Sequence, residues 1–127
     1  MLDDVLALLN ASPLLHGLRV IELVVYGQNA FRAKLRVEVT DSMTFQIWLN
    51  HNDRRTRYAY QLFQHDQSLM RWDNAPHHPE QTVNFPHHFH DENGRVTSSP
   101  LSGNPVTDLA IALTEVRRYS QRQSPAS

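Results

Sequence analysis

The chain has 127 residues, with 12 Lys and Arg against 13 Asp and Glu, a formal net charge of −1, 40% hydrophobic residues and no cysteine. That length suits one domain able to bury roughly two thirds of its extended surface, and the charge balance excludes a global positive field while leaving room for a local basic patch. Without cysteine, disulfides, thiolate metal sites and thiol catalysis are excluded, which is compatible with a reducing compartment.

The opening MLDDVLALLN is acidic where a secretory signal would be basic, and residues 2–9 read as a short apolar helix that stops before Pro13. No apolar run approaches the ~20 residues that a membrane-spanning helix needs. The expectation is a cytoplasmic protein without membrane association. LRVIELVVYG, 18–27, carries apolar residues on both sides, as a covered strand would, and Gly27–Ala30 turns the chain. In FRAKLRVEVT, Phe31, Ala33, Leu35, Val37 and Val39 face one way while Arg32, Lys34, Arg36, Glu38 and Thr40 face the other. This period of two marks a sheet with one wet face.

TFQIWLN repeats the alternation with Trp48 on the wet side, HNDRR supplies a turn, RYAYQLFQH is a further strand, and HDQS turns into LMRWDNA. Short connections favour antiparallel pairing, because a parallel return needs a long crossover. At NPVTD, Asn104 can cap a helix whose first residue is Pro105. Val106, Leu109, Ala110, Leu113 and Val116 give it an apolar stripe, and Arg117 and Arg118 suit its C-terminal end. The expected fold is α+β: an antiparallel sheet of about five strands, with one face covered by the C-terminal helix and the short N-terminal helix. Residues 1–120 form the domain and 121–127 a polar tail.

Five of the eight histidines fall within WDNAPHHPEQTVNFPHHFH, residues 72–90. If LMRWD is extended, Trp72 anchors inward and Arg71 and Asp73 project outward together. In FPHHFH the same period puts Phe85, His87 and Phe89 on the buried side and His88 and His90 on the other. Three readings stay open. A planar guanidinium suits phosphate, and imidazoles titrating near neutrality can serve as base and acid toward a ribose 2′-hydroxyl and a leaving oxygen, with Asp73 orienting one of them. Alternatively Asp73, His78, His88 and His90 offer nitrogen and oxygen donors for a divalent metal, although the spacing matches no strong zinc motif. Or the histidines satisfy carbonyls in a tight turn, His87 first among them. His16, His51 and His65 read as surface or turn residues, Asp53 and Glu80 as ordinary turn residues, and Tyr58 and Tyr60 as a packing stripe.

RWDNAPHH at 71–78 and FPHHFH at 85–90, preceded by RYAYQLF at 57–63, resemble the TumE family of toxin-like proteins, over residues 15–118. The family's arginine-aromatic-DNAPHH falls on Arg71 through His78, and its FPHH-x-H falls on Phe85 through His90. Phe89 stands where many relatives carry lysine, which points to packing at that position. The resemblance implies a small bacterial or archaeal toxin paired with a helix-turn-helix antitoxin, and leaves the catalytic roles to be read from the residues themselves. The leading expectation is a metal-independent endoribonuclease: Arg71 clamps phosphate, His88 is general base, His77 general acid, His90 a second proton-transfer group and Asp73 their orienter. Arg32, Lys34, Arg36, Arg57 and Asn74 would hold RNA. The alternatives are a metal-dependent nuclease or phosphoesterase, and a non-enzymatic module whose histidine loop is an interface. No cofactor is expected beyond that alternative metal. A homodimer through the open face, with Trp48 and the tyrosines, is compatible with the pattern.

Overall fold

The two-residue period of the sequence is realised in a seven-stranded sheet, described for residues 1–123 in a computed structural model. The elements are α1 (Leu2–Ala11), β1 (His16–Gly27), β2 (Ala30–Glu38), β3 (Met43–His51), β4 (Thr56–Gln64), β5 (Gln67–Asp73), β6 (His88–His90), β7 (Val96–Ser98) and α2 (Pro105–Gln123). Spatial order equals chain order, and every neighbouring pair is antiparallel. The class is the expected α+β with an antiparallel sheet between terminal helices; the strand number is seven rather than about five. The added ladder is the β6–β7 hairpin, whose three-residue strands are too short to leave a period in the sequence.

Local chemistry sets the turns. Asn29, at φ 56°, supplies the left-handed residue between β1 and β2, and His65 and Asp66, at φ 49° and 65°, make the two-residue connection between β4 and β5. Asn52 accepts from the amides of Arg54 and Arg55 through its side chain, closing the β3–β4 turn. At the start of α2, the Asn104 side chain accepts from Val106 and Thr107 N–H, as expected of an N-cap, and Pro105 opens the helix.

One face of the sheet is the core. Phe45, Ile47 and Leu49 of β3 and Tyr58, Tyr60 and Leu62 of β4 lie against Val5 and Leu9 of α1 and Leu109, Ala112 and Val116 of α2. Each such side chain contributes roughly 1.5–3 kcal/mol by leaving water. The other face carries two rows of side chains running across the strands in register. One row is Lys34, Trp48, Ala59, Asp73 and His88; the next is Arg36, Gln46, Gln61, Arg71 and His90.

Several expectations are corrected. β1 is the edge strand, and Val20, Ile21, Leu23, Val24, Val25 and Tyr26 are all exposed, so apolar residues on both sides do not mark a covered position here. Register shifts at three points in β1 break its alternation. Tyr58 and Tyr60 lie in the core, as a packing stripe would, and so they lend nothing to an open-face dimer; Trp48 alone of that trio stays on the open side. Along α2, Ala110 is exposed and Ala112 is buried instead. The helix runs to Gln123, so Arg117 and Arg118 precede its last turn, which holds Arg122. Residues 121–123 of the expected tail are helical, and the rest of that tail lies outside the described residues. No helix among the described residues is long and apolar enough to cross a membrane.

Candidate functional site

β5 ends in Arg71, Trp72 and Asp73, and β6 answers it residue for residue: Arg71 pairs with His90, Trp72 with Phe89 and Asp73 with His88. The alternation sends Trp72 and Phe89 to the core side, with ring centroids 4.9 Å apart. Asp73, His88, Arg71 and His90 meet on the open side. The expected sharing of faces by Arg71 with Asp73, and by His88 with His90, is thus present in one ladder. Phe85 departs from it: it precedes β6 and is exposed rather than on a buried side.

Asn74 fixes the end of this ladder. Its Nδ2 donates to the Thr56 carbonyl at 2.7 Å and its Oδ1 accepts from Tyr58 N–H at 3.1 Å, so a side chain expected among the RNA contacts is spent on bracing β4. Residues 74–87 then loop over the open face and bring His77 and His78 back to it. Near the loop's end, Asn84 Nδ2 donates to the carbonyls of Ser99 and Leu101, tying the loop to the segment before α2.

Asp73 is the hub. Only 3% exposed, its carboxylate accepts from Arg71 Nε at 2.8 Å and from Ala75 N–H at 3.0 Å. It also faces His88 Nε2 at 3.0 Å and His90 Nε2 at 3.4 Å, while the two imidazole Nε2 atoms are 3.0 Å apart. His88 Nδ1 lies 2.9 Å from the Pro86 carbonyl oxygen, which can only accept, so Nδ1 carries a hydrogen. In the neutral ring Nε2 is then a lone pair pointed at the carboxylate. His78 repeats the pattern from the loop: its Nδ1 sits 3.1 Å from Glu80 Oε1, leaving Nε2 as the free acceptor. One ring nitrogen from each of His78, His88 and His90 falls within 4.8 Å of the others. Burial holds His90 below the ordinary imidazole range, with Asp73 opposing that shift.

At such distances the acceptors need a hydrogen or a metal ion between them: a neutral His90 with its hydrogen on Nε2 can supply the first, and a divalent cation would be the second. The pocket above it, about 420 Å³, is lined by Arg71, Asp73, His77, His78, His88 and His90, together with Gln61, Ser68 and Ala75. His77 is exposed at its rim, while His88, 2% exposed, lies at its floor. Gln61 and Ser68, joined by a 2.8 Å hydrogen bond, and Glu80 were not read as site residues from the sequence. The period of two on β4 places Gln61 on the face of Arg71 and Asp73, whereas no sequence period sets Glu80 beside His78.

The remaining histidines and cations separate cleanly. His87 points to the core side, its Nδ1 2.7 Å from Tyr58 Oη and its ring stacked on the phenol. Burial raises the Tyr58 hydroxyl well above its ordinary range, so Tyr58 donates and His87 accepts. His51 bonds Thr56 within the β3–β4 hairpin. Arg32 is paired with Glu22 at 2.7 Å, whereas Lys34 and Arg57 have no acidic partner among the described residues. Arg36 donates to Gln46 and lies over the Phe63 ring. Arg57 lies apart from the histidine pocket, in a depression with Arg54, Arg55 and Tyr26.

No curated protein and no solved structure matches the chain. The family model described as Toxin TumE matches residues 5–123, the span that holds the whole sheet, both histidine motifs, most of α1 and all of α2. The chain belongs to the TumE toxin family.

Proposed function

We propose that this chain is the toxin of a toxin–antitoxin pair and that it cleaves RNA at the open-face pocket with the help of a divalent metal ion. The supporting observation is the disposition of the Nδ1 protons: His88 gives its own to the Pro86 carbonyl and His78 its own to Glu80, so both Nε2 lone pairs are available beside His90 Nε2 and the Asp73 carboxylate. Such outer partners orient metal-binding imidazoles. In a tetrahedral shell with metal–nitrogen bonds of ~2.0–2.1 Å, ligand atoms lie about 3.3 Å apart. The His88–His90 Nε2 separation, 3.0 Å, is close to that spacing, and the two rings face different oxygens of Asp73, Oδ1 at 3.0 Å and Oδ2 at 3.4 Å. Three nitrogens and a carboxylate suit zinc, manganese, iron or nickel.

A bound divalent ion supplies Lewis-acid polarisation of a phosphoryl oxygen and a water of lowered pKa. His78 from the loop and His88 and His90 from β6 would hold the ion, with Asp73 of β5 beside them as a further oxygen donor. Arg71, anchored through Nε, has its terminal nitrogens left for a phosphate in the pocket. His77 on the rim is placed to protonate a leaving oxygen. His88 fits a ligand better than the general base first assigned to it, because it is buried and both its nitrogens face partners. The partner implied by toxin-family membership is an antitoxin, here a helix-turn-helix protein.

The test is elemental analysis of the purified full chain together with cleavage of defined single-stranded RNA, before and after chelation. The expected result is one equivalent of metal, loss of cleavage on its removal and recovery on its return. Chelator-resistant cleavage leaving 2′,3′-cyclic phosphate ends would instead establish the metal-free acid–base reading, which the exposure of His77 and the Asp73–His88 contact favour. Folded protein that turns over no RNA under either condition returns the pocket to partner binding.

A further inference from the structure

The metal reading leaves a second feature of the open face unused. Trp48 stands on the row that ends in Asp73 and His88, separated from Asp73 only by Ala59 on the intervening strand. Neighbouring strands are ~4.8 Å apart, which puts the backbone of Trp48 ~10 Å from that of Asp73 along the sheet. Between them on this row stands only the methyl group of Ala59. Trp48 is half-buried and makes no hydrogen bond or ring contact among the described residues. Beyond it on the same row lies Lys34 without an acidic partner, and Arg36 heads the adjacent row.

An unpartnered aromatic plane between unneutralised cations and a phosphate-binding arginine has one natural complement, a polymer that alternates planar bases with anionic groups. Duplex bases are stacked inside the helix and unavailable to the indole, so the polymer is single-stranded. We propose that the open face is a track for single-stranded RNA, in which Trp48 stacks the base next to the scissile phosphate and Lys34 and Arg36 hold phosphates farther from the pocket. The track names the form of the substrate for the ribonuclease reading and rests on it. Trp48 is a positioning residue: it seats the nucleotide and touches no reacting atom.

The test measures binding of a short fluorescein-labelled single-stranded RNA by anisotropy, on a His90→Ala background that suppresses turnover, and cleavage kinetics on the otherwise native chain. Trp48→Ala should weaken binding roughly 5- to 150-fold and Trp48→Phe should retain most of it, since loss of a base–aromatic stack is felt at every sequence. In cleavage, Trp48→Ala should raise KM with kcat largely kept. Lys34→Gln should lower the slope of log affinity against log salt by about 0.7, the value for one phosphate contact on a single strand. A duplex of the same sequence should bind more weakly.

Equal affinity of Trp48→Ala and its parent, or equal affinity for duplex and single strand, overturns the track. So does a Trp48→Ala chain that changes its sedimentation and not its RNA affinity, which would make the face a protein interface. If the native chain cleaves no RNA and the Trp48-dependent binding remains, the catalytic reading fails and the track stands. If cleavage proceeds with KM unmoved by Trp48→Ala, only the track fails.

Discussion

The two ends of the sheet are held by different forces. From β2 to β4 the strands are nine residues each, their buried positions alternate without a break, and apolar side chains fill the space beneath the helices. From β5 to β7 the strands shrink to seven, three and three residues, and the ladder is bound by Asp73, Asn74 and the histidines as much as by Trp72 and Phe89. Stability and chemistry are thereby divided along the sheet. The long strands supply a platform, and the short ones carry the clustered carboxylate, arginine and histidines of the pocket.

Substitutions at the two ends should separate these roles. Phe45→Ala, at a fully buried position of β3, should cost about 3–5 kcal/mol in denaturant unfolding, the largest effect of this set. A loss under 1 kcal/mol there would mean that the core collapses around the cavity and that the platform is less rigid than its packing implies. Asn74→Ala leaves the Thr56 carbonyl and the Tyr58 amide without the partners they have now, and should cost about 1–3 kcal/mol. Its signature is local: nuclear magnetic resonance shifts should change at the start of β4 and in β5 and β6, and leave β2 in place.

Tyr60→Phe should move stability the other way. The Tyr60 hydroxyl is buried without a hydrogen-bond partner among the described residues, and burial raises its pKa well above the ordinary range. Deleting that oxygen should stabilise the chain by up to about 1 kcal/mol, or leave it unchanged, because an unmet desolvation cost is removed. A clear destabilisation would reveal a partner for the hydroxyl and make β4 less purely apolar than it looks.

The smallest effect concerns acid. Burial lowers the pKa of His87 below its ordinary value of 6.5, and its Nδ1 is an acceptor for Tyr58. The folded state therefore binds fewer protons than the unfolded chain as the pH falls. The contribution is complete above the unfolded pKa and is lost as pH drops through the folded value. His87→Gln should flatten the decline of stability below about pH 6.5 without abolishing it, because burial shifts His51 and His90 in the same direction. An unchanged slope would place His87 outside the energetics of the platform.

These two ends were unequally legible in the sequence. FRAKLRVEVT announces β2 and both its faces because ten residues in strict alternation leave no other reading. The same rule, applied to RWD and FPHHFH, assembled Arg71, Asp73, His88 and His90 on one side, since a strand needs only three residues to separate its faces. What it could not carry was distance. Nothing in the spacing says that Glu80 grips His78, that Pro86 fixes the His88 tautomer, or that Asn74 turns away from the pocket to β4. β1 misled because bulges blur alternation and because apolar composition is the same for an edge and a centre. β7 hid in VTS, where neither length nor hydrophobicity signals a strand. The last turn of α2 was lost because a polar, Arg- and Gln-rich end reads as a tail when the packing of Tyr119 is unseen.

The order of the sheet has a kinetic side. Because every strand pairs with its sequence neighbour, no long loop must close before the platform forms, and contacts of low sequence separation favour rapid folding. The β5–β6 hairpin closes the longest connection between strands, residues 74–87, with only three ladder pairs to reward it. Amide hydrogens of β6 and β7 should accordingly exchange well before those of β3 and β4, through openings that spare the core. Each such opening would dismantle the pocket and leave the platform standing, so the shortness of β6 and β7 separates the integrity of the pocket from that of the fold.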